Sequence, residues 1–336
     1  MRRHLTLAFL ACIVVTAARA QQYTIKFATL APDGSTWMNV MHEYDAAVRK
    51  ESGGRVGFKL YPGGVQGGDE KAMLRKIRVG QIHSGGFTGV GLGEIAPKVR
   101  ILDAPFLFRT YDEVDHIYKT FDKELTQALE DGGFVLLGWA ELGFVNVFTN
   151  SPVNKPEDLK GLRMWTWEGD VMAQTALQTL GLSPIPLSID NVLTSLQTGL
   201  INAFYTTPYA AIALQWYTRS KYVIDVPLAD ASGAVLLSKK YFDTLPADLQ
   251  EVVVRNGRTA MVKLVQLNRE DNKNAFVEFR KRGIVIQQVA EKDLGYYIDV
   301  GVRSRRAVVG RTYSQEFLNQ VERAVDEYRA GRKGVR

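Results

Sequence analysis

The feature that most constrains this chain is the way its apolar period switches near the start. Residues 23–30 alternate and then run apolar, as a strand does. Ala31-Pro32-Asp33-Gly34-Ser35 is a turn cluster, and 36–52 follows at helical period, with Asp33 or Ser35 as its cap. At 55–61 the alternation returns through Val56, Phe58 and Leu60. A glycine-rich loop, 63–68, leads to Asp69, Glu70 and an amphipathic helix with Met73, Leu74 and Ile77 inward, ending at Gly80. A strand–helix–strand–helix opening predicts a mainly parallel sheet flanked by helices. Ligands of such sheets sit beyond the carboxyl ends of the strands. The two lips of a site are then 31–37 and 85–89.

The pattern starts again near residue 145. Residues 111–131 read as a helix, 134–139 and 145–150 as strands, then a strand around 161–167 and helices at 170–180 and 189–198. Residues 200–205 read as a strand, 210–220 as a helix, and 222–229 and 234–238 as strands. The two α/β modules share no detectable repeat. After Pro246 a helical stretch runs to about residue 282, interrupted only by Gly257. One helix of that length would reach ~54 Å, too long for one module, so it is expected to brace both.

The N-terminus reads as a leader. Arg2 and Arg3 precede an apolar run at 5–17, and Ala18-Arg19-Ala20 is a small-residue cleavage signal, so the secreted chain is expected to begin at Gln21. The run of ~13 residues falls short of the ~20 that span a bilayer. Cys12, the one cysteine, lies in this leader, which leaves no thiol or disulfide afterwards. Loss of the leader's three arginines lowers the formal charge from +6 to +3. No basic face interleaved with aromatics points to nucleic acid.

Catalytic chemistry is not written here. His42, His83 and His116 are scattered without metal-ligand spacing, and no H-E-x-x-H, G-x-S-x-G or phosphate-loop motif occurs. The glycines of 85–93 lack the helix start and downstream acid of a dinucleotide site. They suit close approach of backbone to a ligand. The expectation is no enzyme, no cofactor and no metal.

The stretch KGLRMWTWEG, 160–169, carries the most specific question. On a strand, Arg163, Trp165 and Trp167 would share one face. That face could lie under a helix, or it could wall a site.

Several stretches together resemble the substrate-binding proteins of tripartite ATP-independent periplasmic (TRAP) transporters. They are IKFATLAPDGSTW, YPGGVQGGDEKAMLRKIRVGQI, DLKGLRMWTWEG, IPLSIDNVLTSLQTGLINAFYTTP and TLPADLQEVV. The resemblance covers residues 23 to about 328. It implies a two-lobed periplasmic binding protein fold, α/β in class, with a long helix spanning both lobes and hinge strands near 143–150 and 223–238. Lobe I would be 21–144 plus about 230–260, lobe II 145–229 plus about 261–328, and 329–336 a flexible tail. It implies a receptor that closes on a small ligand and delivers it to TRAP membrane permease subunits, with a tetratricopeptide-repeat periplasmic subunit as a further partner.

The family's usual carboxylate ligands are held by an arginine in L-K-G-L-K-[IVM]-R. The matching residues here are Leu159 to Trp165, and Trp165 stands at the arginine. By the same alignment Thr88, Ile189 and Thr207 fall on other contact positions. The ligand-binding set is therefore Trp37, Phe87, Thr88, Arg163, Trp165, Trp167, Ile189, Tyr205, Thr207 and Tyr209. The exchange of a guanidinium for indoles favours an apolar or aromatic ligand. The rival expectation keeps an ordinary organic acid and anchors it on Arg163. Trp37 and Trp167 have a second reading as core residues, and Phe204 is expected in the core.

Overall fold

The computed structural model describes residues 22–333; the leader and its cleavage site lie outside the described residues. The strands are β1 (Tyr23–Ala28), β2 (Val56–Tyr61), β3 (Ser84–Thr88), β4 (Phe134–Trp139), β5 (Gly143–Thr149), β6 (Trp165–Trp167), β7 (Ile185–Leu187), β8 (Ala203–Thr206), β9 (Tyr222–Ile224), β10 (Ala229–Ala231), β11 (Gly233–Ser238) and β12 (Val285–Gln287). They form two lobes. The first sheet runs β2-β1-β3-β11-β4 and the second β10-β5-β9-β12, with β8 also on β5 and β6–β7 a separate parallel pair.

The opening alternation builds β2-β1-β3 as a parallel ladder. Both sheets are nevertheless mixed. The chain crosses between lobes along β4–β5 and again along β10–β11. Each crossing strand enters its sheet antiparallel: β11 to β3 and β4, β10 to β5. In the second lobe β8 and β9 are also antiparallel to β5.

The third crossing is the helix Ala247–Lys281. Its buried residues fall on one stripe, as i, i+4 spacing requires. Leu249, Val253, Met261 and Leu264 join the first lobe's core, and Ala275 and Phe279 the second lobe's. Gly257 lets the helix touch β4: a Cβ there would stand 2.8 Å from the Leu137 carbonyl oxygen. Between the two apolar halves the stripe turns polar. Asn268 Nδ2 donates to the Glu141 carbonyl (2.8 Å) and Asn272 Nδ2 to that of Leu142 (2.7 Å). The helix thus holds the β4–β5 crossing at its middle.

The C-terminal helices correct the expected lobe boundary. Val308, Tyr313, Phe317, Leu318, Val321 and Val325 are buried in the first lobe's core, with Ile117, Leu125 and Leu129. The last helix, Gln315–Lys333, therefore belongs with lobe I, and 261–328 does not lie wholly in lobe II. Nor does the chain fray at 329: Arg329 donates to both oxygens of Glu113 (2.9 Å each). The apolar spacing of this helix was too sparse in sequence to show which core it joins. Among the described residues no helix is long and apolar enough to cross a membrane.

Candidate functional site

A cavity of about 240 Å³ lies between the lobes, against the crossing strands. The first lobe supplies the turn after β1, the end of β3 and a short helical turn, Pro97–Asp103. The second supplies β6, the start of the helix Val171–Thr179, and the segment after β8.

Each lip is held by local chemistry. At the β3 lip, Gly86 has no Cβ because the Trp37 indole occupies that space; a Cβ would lie 2.5 Å from the ring. Trp37 is thus both core and wall. Thr88 caps the following helix. Beneath it Glu70 accepts from Thr88 N–H (2.7 Å), Thr88 hydroxyl (3.0 Å) and Gly91 N–H (2.7 Å). Burial, only partly opposed by these donors, pushes the Glu70 carboxyl up to about 8.

The second-lobe wall is aromatic. Trp165 stacks on Tyr205 (centroids 5.0 Å apart, 24°) and meets the edge of Trp216 (5.2 Å, 76°). Trp167 lies 6.5 Å away, near parallel. The Trp165 indole donates to the Leu187 carbonyl (3.0 Å), which fixes its plane. The Tyr205 hydroxyl accepts from Trp167 N–H (3.2 Å), and burial holds that phenol well above its ordinary range. The two indoles therefore belong to the second lobe's core and border the cavity as well.

Several contacts join the lobes around the cavity, Phe106 N–H to the Leu228 carbonyl (2.6 Å) among them. Tyr209 hydroxyl accepts from Thr36 N–H (2.9 Å). Arg100, from the first lobe, donates through Nη2 to Asp170 Oδ1 of the second (2.7 Å), and its Nε pairs with Asp103 Oδ2 (3.1 Å). Asp170 also caps its own helix through Met172 and Ala173 N–H. Burial opposes the Arg100 charge, but the two carboxylates more than offset it and hold the guanidinium above its usual range.

Nine of the ten residues expected from sequence line this cavity: Trp37, Phe87, Thr88, Trp165, Trp167, Ile189, Tyr205, Thr207 and Tyr209. Arg163 does not. It is exposed, and its Nε donates to the Gly199 carbonyl (3.1 Å). The strand begins only at Trp165, so i, i+2 sharing of a face stops short of Arg163. Its N–H is instead held by Asn202 Oδ1 (2.8 Å), and its guanidinium sits at the end of the helix Val192–Thr198, where carbonyls lack partners. The expectation of Arg163 as anchor is overturned by this placement.

Sequence reasoning missed Arg100, Asp103, Asp170, Trp216 and Asp230, all in the cavity wall. One signal was available. In Val99-Arg100-Ile101-Leu102-Asp103 two opposite charges three apart interrupt an apolar run, as a buried ion pair does.

Fold and cleft define a two-lobed solute-binding protein. The chain belongs to the bacterial extracellular solute-binding protein family 7 (DctP), whose family model matches residues 27–299. That family's role is binding rather than catalysis. The chain is 27% identical over 250 residues to the 2,3-diketo-L-gulonate-binding periplasmic protein YiaO of Escherichia coli, covering 73% of this chain and 74% of that one. It resembles in structure a TRAP periplasmic solute-binding protein of Ochrobactrum anthropi whose C-terminus is bound in the ligand pocket (TM-score 0.81, 25% identity, 93% of this chain and 97% of that chain). It shares its fold with the sugar acid binding protein DctPAm of Advenella mimigardefordensis, solved with galactonate (TM-score 0.85, 19% identity, 92% and 99% of the two chains).

Proposed function

We propose that this chain is the periplasmic receptor of a TRAP transporter and that its ligand is more apolar or aromatic than the sugar acids bound by its relatives. Trp165 carries this reading. It stands where the resemblance expects a carboxylate-binding arginine, and it is buried in an aromatic wall. Arg100, the guanidinium in the cavity, is already shared between two carboxylates. A buried carboxylate ligand without a partner of its own would cost several kcal/mol of desolvation. The rest of the wall is mostly apolar and aromatic, so an apolar ligand is stabilised by removing its own surface from water, at ~25 cal/mol/Å². The proposed set is Trp37, Phe87, Thr88, Trp165, Trp167, Ile189, Tyr205, Thr207 and Tyr209. The chain reaches the periplasm through its leader, matures at Gln21, and serves a membrane permease with a tetratricopeptide-repeat subunit as the added partner.

Native mass spectrometry of the secreted protein, followed by extraction of what co-purifies, tests this. An apolar or aromatic molecule is expected, and Trp165→Ala should lower its occupancy. A dicarboxylate or sugar acid, or occupancy indifferent to Trp165→Ala, would overturn it.

A further inference from the structure

The cavity wall holds more carboxyl groups than bases. Among the described residues it contains four carboxylates, Glu70, Asp103, Asp170 and Asp230, against one basic residue, Arg100. Three of the acids are engaged. Glu70 holds Thr88 and Gly91, while Asp103 and Asp170 share Arg100. Asp230 is different. It is 1% exposed, lies at the hinge end of the cavity on β10, and neither carboxylate oxygen has a hydrogen-bond partner. Around that end Ser232 Oγ and Asn268 Oδ1 are also unpartnered. Leaving a buried polar group unpaired is costly, and more so when it is charged, so such a group marks a missing partner.

We infer that the ligand carries a protonated amine on its apolar body, and that Asp230 is its counter-charge. The inference rests on the aromatic-cavity reading above. An ammonium supplies the donors these oxygens lack. The aromatic wall around Trp165 and Trp167 suits a ligand with an apolar body beside that cation. A metal ion fits less well, since among the described residues no three acidic, histidine or cysteine side chains could hold one.

The surroundings of Asp230 give the binding a proton signature. Burial first, then Glu141, Asp103 and Asp115, push its carboxyl well up, opposed by Arg269. The phenols of Tyr111 and Tyr118 also face it, and both are themselves raised by burial. In the empty receptor the upward shift of Asp230 favours its protonated form. An arriving ammonium ionises it, and that proton leaves to solvent. Affinity for an amine should then rise with pH, by up to about tenfold per unit, until the free carboxyl's own pKa is passed.

The test uses three compounds with one aromatic body: phenethylamine, 2-phenylethanol and phenylacetate. Calorimetry with the secreted protein, in buffers of different ionisation enthalpy, reads both affinity and protons released. Phenethylamine should bind about tenfold or more tighter than the alcohol, with proton release and an affinity rising with pH. In Asp230→Asn the amine should fall to the alcohol's affinity and proton release should vanish. Should that variant misfold, the wild-type proton count and pH slope decide alone. An alcohol that binds as well as the amine overturns the counter-charge and leaves the aromatic cavity standing. Phenylacetate binding tightest, or no binding of any of the three, overturns both.

Discussion

Arg100 is the place where the two lobes can be unlatched by one substitution. Its side chain is 8% exposed, and it reaches Asp170 Oδ1 at 2.7 Å across the cavity and Asp103 Oδ2 at 3.1 Å within its own lobe. Its stem packs on Gly93, where a Cβ would stand 2.8 Å from Arg100 Cδ. Arg100→Met keeps that stem and removes the charge. Two buried carboxylates then lose their common partner, which should cost about 3–5 kcal/mol. Asp170→Asn is the second arm, and asparagine still caps the helix that Asp170 begins. The double variant closes a cycle, and a buried charged hydrogen bond should give a coupling of about 1.5–3 kcal/mol. Urea titration followed by tryptophan fluorescence reads all four proteins. A coupling under ~0.5 kcal/mol, the scale of exposed ion pairs, would refute the reasoning. It would mean that Arg100 and Asp170 do not meet in the ligand-free receptor.

Three further outcomes are expected. Glu70 has a folded pKa of about 8, above its unfolded value near ~4.3, so its stabilising contribution is complete below the unfolded value and is lost as pH rises through about 8. Unfolding free energy measured across that window should fall with a slope that Glu70→Gln flattens; an unchanged slope would place the titration elsewhere. Gly86→Ala should force the Trp37 ring from a position 2.5 Å from the new Cβ, at a cost of about 1–3 kcal/mol, visible in thermal unfolding and near-ultraviolet circular dichroism. Arg163→Ala should alter stability by no more than ~1 kcal/mol and leave ligand occupancy in native mass spectra as it was; lost occupancy would restore Arg163 as an anchor.

Much of the fold was legible because its cues are local. The period switch at residues 23–80 and the long helical run after Pro246 specify β1, β2, their helices and the spanning helix without reference to anything distant. The aromatic half of the cavity was legible through motif position, which places Trp165 and Tyr205 on neighbouring strands. What sequence left open depended on partners far away in the chain. Arg100 meets Asp170 seventy residues on, and Arg329 meets Glu113 more than two hundred residues back. Arg163 shows the opposite failure. Strand alternation was extended two residues beyond where the strand begins, and one backbone bond to Asn202 turned the side chain out.

The middle of the long helix has a mechanical consequence. A rotation of one lobe against the other must pass through four covalent crossings, the return of the C-terminal helices to the first lobe among them, and one of the four is an unbroken rod of 35 residues. Its centre is clamped by Asn268 and Asn272 to the carbonyls of the β4–β5 crossing. The rod cannot act as a free joint. It flexes like a leaf spring bolted at its midpoint, so opening and closing are a torsion shared between helix and strand, and displacement of the lobes from rest carries a restoring force back toward it.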